Sequence, residues 1–191
     1  VPEHCPRGED GLPLWYKDVA VLAVPFAADK TVTSTASVID LTDRLQPDGS
    51  LEWDVPEGAW QILRFVCTNT GQELIVPSPK SKGLFIDFLD PSATERHLQV
   101  IMDRLGITPE NAADIGLNYL EVDSMELHPG NPWTDAFPEW FMKYRGYDLR
   151  KWMPVLAGWT VQDKEISDAF LYDYHKTVSD LLIHSHYETG S

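Results

Sequence analysis

Leu117-Asn118-Tyr119-Leu120-Glu121-Val122-Asp123-Ser124-Met125-Glu126 is the stretch on which the reading of this chain turns. Leu117 to Val122 has the character of a strand, and that strand ends in carboxylates. Ionised groups are costly to bury unless they are paired or used. In barrels of parallel strands, side chains at the C-terminal strand ends face the open mouth, where active sites sit. Asp123 would then lie at the strand end and Glu126 on the loop just above it. Repulsion among acids placed there raises at least one pKa and leaves a proton donor near neutral pH. The plainer alternative is that Asp123 and Glu126 cap the next turn or bind a nearby Arg or Lys. Glu121 reads as structural, ion-paired in a barrel interior.

The loop that follows, Leu127-His128-Pro129-Gly130-Asn131-Pro132-Trp133-Thr134-Asp135, is rich in Pro, Gly and polar groups. At a strand's C-terminal end, Trp133 would offer a flat ring for stacking, and Asn131 and His128 would offer donors to hydroxyls. The bland reading is a surface loop with Trp133 tucked beneath it and Thr134 or Asp135 capping the next helix. The two readings are compatible.

Outward from this stretch the period of the sequence changes. Downstream, helices are expected around Pro138 to Tyr144 and from Glu165 to Tyr187, the last burying Ile166, Phe170, Tyr174, Val178, Leu181 and Leu182. Upstream, Asp90-Pro91 caps and opens a helix to Leu105 with Leu98, Ile101, Met102 and Leu105 on one face, and Gly106 stops it. Thr108-Pro109-Glu110 is expected to start a short helix. Residues up to about Pro79 read as β structure: Val19 to Val24 stopped by Pro25, Val32 to Ile39, Leu51 to Val55, and Trp60 to Cys67. Pro47-Asp48-Gly49 is a turn, since Pro presets one φ and Gly supplies the positive one. The expected fold is α/β: a β-sandwich-like segment and linker over 1–80, then the first part of a (β/α)8 TIM-type barrel over 81–191. Such a barrel takes about 250 residues, so the roughly 110 from Gly83 onward suffice for its first three or four units. The chain is therefore expected to be a partial one.

Thirty acids stand against 15 bases, a net charge of −15, which repels nucleic acid and anionic lipid. No apolar run is long enough to span a membrane. Cys5 and Cys67 have neither metal spacing nor a disulfide framework, and whether they pair is left open. His184 and His186 lack helix-neighbour spacing, so a metal site there is not expected. Arg145 before Gly146 is placed as a helix C-terminal cation.

Several blocks, in order, resemble glycoside hydrolase family 106, the α-L-rhamnosidases. They are Val55-Pro56-Glu57-Gly58-Ala59-Trp60-Gln61-Ile62-Leu63-Arg64-Phe65 with Thr70-Gly71, and Gly83-Leu84-Phe85-Ile86-Asp87 with a helix holding His97. Val122-Asp123-Ser124-Met125-Glu126 with Asn131-Pro132-Trp133-Thr134 follows, then Tyr144-Arg145-Gly146-Tyr147-Asp148-Leu149 with Met153-Pro154-Val155-Leu156-Ala157-Gly158. The resemblance implies inverting hydrolysis of terminal α-L-rhamnose, a carbohydrate partner, dependence on Ca²⁺, and a secreted or periplasmic protein. It makes Glu126 the general acid and gives Asp123, Asn131 and Trp133 contacting or supporting places. The second catalytic carboxylate is expected beyond Ser191, so the isolated chain is expected to be inactive. Met125 replaces an aromatic, His128-Pro129 lengthens the loop, and Phe88 replaces a lysine, which bears on sugar preference. The alternatives are a non-catalytic carbohydrate-binding relative, or another barrel glycosidase such as a β-galactosidase-like enzyme with Glu126 or Glu121 as the acid.

Overall fold

The computed structural model describes residues 5–73, 78–80, 82–117, 119 and 130–190. It is a mixed arrangement of helices and strands with an antiparallel sheet. In chain order these are β1 (Tyr16–Pro25), β2 (Thr31–Val32), β3 (Ile39–Asp40), β4 (Trp60–Thr68), α1 (Pro91–Leu105), α2 (Phe137–Arg145), β5 (Thr160–Val161) and α3 (Lys164–Leu182). Short 3₁₀ turns occupy Thr35–Ser37, Thr42–Arg44 and Arg150–Ala157, and a π-helical turn, Ile183–Glu188, ends α3. The described residues gather into two compact units. The first takes the chain up to Gly71 together with Phe137–Thr177, and the second takes Gln72–Ala136 with the chain from Val178 onward.

In the first unit β1 is the middle strand of an antiparallel sheet ordered β3-β1-β4. Its apolar run is covered on both faces: Ala20, Val21, Leu22, Ala23 and Val24 are all buried. Val21, Ala23 and Leu41 form a core against which Ile39, Leu45, Leu51, Trp53 and Trp60 pack. The expected Pro47-Asp48-Gly49 turn is present, with Gly49 at φ 82 and the N–H of Gln46 donating to the carbonyl of Ser50. β4 is an end strand of this sheet, and along it Ile62 and Val66 are exposed on either side of Arg64.

Two expected strands are not continuous. Between Val32 and Ile39 the chain leaves β2, makes the Thr35–Ser37 turn capped by the Ser34 hydroxyl, and re-enters as β3. The hydroxyl-rich Ser34, Thr35 and Ser37 offer the backbone local partners that compete with a sheet ladder. Of Leu51 to Val55 only Leu51 pairs, with Leu45. β2 finds its partner far along the chain, in β5, with Thr31 opposite Thr160 and Val32 opposite Val161 in parallel.

The β3 corner is held by charge. Asp40 accepts from the N–H and hydroxyl of Thr42 and from Arg150 at 3.1 Å, while Lys151 donates to the carbonyl of Val38. Burial works to raise the Asp40 pKa, but these donors together hold it below the usual carboxylate range. A depressed carboxylate stabilises above its unfolded pKa, about 3.9, and loses that contribution as pH falls through the folded value. Asp40→Ala is therefore expected to lower stability by about 1–2 kcal/mol at pH 7, allowing for partial exposure. The difference from wild type should shrink in urea melts at pH 3.

The rest of this unit's interior is aromatic. Phe137 and Phe141 of α2 meet Phe170 and Tyr174 of α3, with ring centroids from 4.9 Å (Phe137–Tyr174) to 6.4 Å. Ser167, not Ile166, takes the inward place at the start of α3. It is buried and exchanges hydrogen bonds with both backbone groups of Val161, leaving Ile166 exposed. Arg145 ends α2 as expected, and its guanidinium donates to the Thr177 hydroxyl at 3.0 Å. Tyr147 donates to Asp173 at 3.0 Å, and burial followed by that carboxylate pushes its phenol well up. Neither cysteine is in a disulfide. Cys5 lies against the Thr68 hydroxyl at 3.2 Å, and Cys67, next along β4, points to the opposite face.

In the second unit α1 begins and ends where its sequence requires. Asp90 accepts from the N–H of Ser92, Pro91 opens the helix, and Gly106 closes it at φ 66. The expected stripe is less covered than its pattern implies: Thr94 is the buried residue of the helix, while Leu105 is 66% exposed. The π-helical turn packs on α1, and the Ser185 hydroxyl donates to the carbonyl of Leu89 at 2.9 Å. Thr108 to Gly116 forms successive turns in place of the expected short helix, with the Asn111 side chain bonded to Thr108 and Gly106.

Candidate functional site

Of the residues singled out in the sequence, Glu126, Asp123 and His128 lie outside the described residues, as does Glu121. Asn131 and Trp133 are described, Asn131 exposed and Trp133 half-buried. They stand just ahead of Thr134, which is 4% exposed. A hydroxyl so removed from water needs a partner within the protein, and the Thr134 hydroxyl donates to the carboxylate of Asp87.

Asp87 follows the apolar Leu84-Phe85-Ile86 and precedes α1. It accepts from the N–H of Leu89 at 3.0 Å. The surrounding protein, and then the neighbouring carboxylates of Asp90 and Asp135, raise its pKa even though part of its side chain reaches solvent. Asp87 also lines an open groove of about 330 Å³ with Ile86, Ala93, Arg96, His97 and Val100. His97 lowers the pKa of His186 on the π-helical turn, second to the effect of burial. A carboxylate, a guanidinium and an imidazole beside aliphatic side chains is a combination that can meet a hydroxylated ring with an apolar face.

Asp87 and Thr134 fall in separate blocks of the sequence, and no spacing signal links them. The signal that points to Asp87 is an acid closing an apolar run, the same signal that drew attention to Asp123. Among the described residues no three His, Cys, Asp or Glu side chains are grouped so as to hold a metal ion. No helix among them is long and apolar enough to cross a membrane.

The family model for alpha-L-rhamnosidase, glycoside hydrolase family 106, matches residues 9–190. The chain belongs to glycoside hydrolase family 106. A solved structure, that of a rhamnosidase from Novosphingobium sp. PP1Y, aligns with a TM-score of 0.70 and 38% identity, covering 82% of this chain and 15% of that one. A protein of Formosa agariphila named "Putative beta-glucuronidase" is 31% identical over 207 residues, covering 91% of this chain and 17% of its own length. The family 106 chain thus spans about a sixth of the length of these relatives.

Proposed function

We propose that the protein carrying this chain is an inverting glycoside hydrolase that removes terminal α-L-rhamnosyl residues. The observation that carries the reading is the family match over residues 9–190. Glu126 serves as general acid, protonating the departing glycosidic oxygen, and a second carboxylate supplied from beyond Ser191 activates water on the opposite face of the sugar. Asp123, three residues earlier in the sequence, keeps the Glu126 proton in place near neutral pH by like-charge repulsion. Asn131 and His128 hydrogen-bond sugar hydroxyls, and Trp133 stacks on the ring's apolar face. Residues 1–80 form a β-sandwich-like segment and 81–191 the opening units of a (β/α)8 barrel, so the isolated chain is inactive. Ca²⁺ would help hold the sugar hydroxyls, and no proton transfer depends on it. The protein acts outside the cytoplasm, where a surface of net charge −15 meets polysaccharide.

The Formosa agariphila relative favours one further reading, in which the same carboxylates act on a uronide. The full-length protein should be assayed side by side on an α-L-rhamnoside and a β-D-glucuronide, with and without chelator. Turnover of the rhamnoside at least about tenfold above the glucuronide is expected, a difference one good polar contact supplies. The reverse preference would move the protein to the uronide reading, and indifference to chelator would remove calcium from the proposal.

A further inference from the structure

The residues proposed to meet the sugar, Asn131 and Trp133, sit in a stretch, 130–136, that is neither helix nor strand. A sugar contact offered from a loop is only as good as the loop's fixation, because a shift of an ångström loses the hydrogen bond. At the residue after Trp133 the chain goes under cover: Thr134 is 4% exposed and bonded through its hydroxyl to Asp87. Asp87 is itself fixed by the N–H of Leu89 at 3.0 Å, at the entrance to α1, whose first turn is capped by Asp90. The bond therefore ties the loop to the start of a capped helix within the same unit.

We propose that Asp87 is a positioning residue for sugar binding, which acts through Thr134 to hold Asn131 and Trp133 where the ring is received. The proposal rests on the reading of Asn131 and Trp133 as sugar contacts.

A carboxylate is an expensive choice for this task. Its pKa is raised, first by surrounding protein and then by Asp90 and Asp135. A carboxyl so shifted favours the native state most below the ordinary Asp pKa of about 3.9, and gives that up as pH rises through its own. At neutral pH the Asp87 charge thus works against stability, mildly because the group is partly exposed. Groups kept against stability are found where geometry serves function.

The test uses Thr134→Val, which keeps the shape and removes the hydroxyl, Thr134→Ser, which restores it, and Asp87→Ala, all in the full-length protein. Hydrogen–deuterium exchange over 130–136 reads the tether, and KM with kcat on an aryl α-L-rhamnoside reads its purpose. Thr134→Val and Asp87→Ala are expected to speed exchange in 130–136 and to raise KM about tenfold with kcat within about threefold, as loss of uniform binding does. Thr134→Ser should return both readouts to wild type. Exchange that does not change in either variant overturns the tether whatever the activity. Faster exchange with an unchanged KM overturns the role in binding. A wild-type protein with no turnover of any rhamnoside would sink the proposed function, and the positioning role with it, while the exchange data would still report whether the tether exists.

Discussion

Glu126→Gln, made in the full-length protein, is expected to lower kcat roughly 10²–10⁴-fold on a rhamnoside whose leaving group is another sugar. The amide matches the carboxylic acid in shape and can still donate a hydrogen bond, but it cannot surrender a proton. A sugar alkoxide is a poor leaving group and needs that proton as the bond breaks. A nitrophenolate leaves unaided, so the same variant should lose far less on a nitrophenyl rhamnoside. This dependence on the leaving group separates an acid from a residue that merely shapes the site. Equal losses on both substrates would assign Glu126 to binding, and no loss on either would remove it from the mechanism.

Phe141→Ala is expected to cost about 3–5 kcal/mol, the range for truncating a buried phenylalanine. The ring is fully covered and lies 5.0 Å from Tyr147, 5.9 Å from Phe170 and 6.4 Å from Phe137. Those partners belong to α2, α3 and the segment between them, so no single side chain can swing in to fill the space. With urea slopes of about 1–3 kcal/mol per molar, the midpoint should fall by roughly 2 M, or the chain should not fold at all. Trp152, stacked on Phe170 at 6.1 Å, supplies a fluorescence signal. Met142→Ala, one residue along and 46% exposed, is the control and should change stability by less than about 0.5 kcal/mol.

Punctuation was the part of the fold most legible in the sequence. Asp90, Pro91 and Gly106 bound α1 as read, and Pro47-Asp48-Gly49 turns the chain as read, because each acts through its own backbone and needs no distant partner. What failed depended on distant partners. Val32 to Ile39 alternates as a strand does, yet Val32 pairs with Val161 and Ile39 with Ala23, and the hydroxyls between them bend the chain from one ladder to the other. Ile166 fits the helical stripe of α3, but Ser167 is drawn inward by the backbone of Val161. The π-helical turn that replaces the end of α3 leaves no trace in the pattern of apolar residues. The candidate site follows the same rule. Asn131 and Trp133 stood out by residue type, whereas the bond from Thr134 to Asp87 joins two segments that only the folded chain brings together. Glu126, Asp123 and His128 still rest on the sequence reading.

β4 closes the order β3-β1-β4, and among the described residues no strand pairs along its outer side. The backbone groups along the outward side of this nine-residue strand, with Ile62 and Val66 standing clear of the surface, form a template that a second molecule can join. Mutual repulsion at a net charge of −15 is what keeps copies of this chain apart in dilute buffer. Salt shortens the reach of that repulsion to a few ångströms without weakening the template. Chain produced by itself would therefore stay clear at low ionic strength and turn cloudy as salt is added, the reverse of ordinary salting-in.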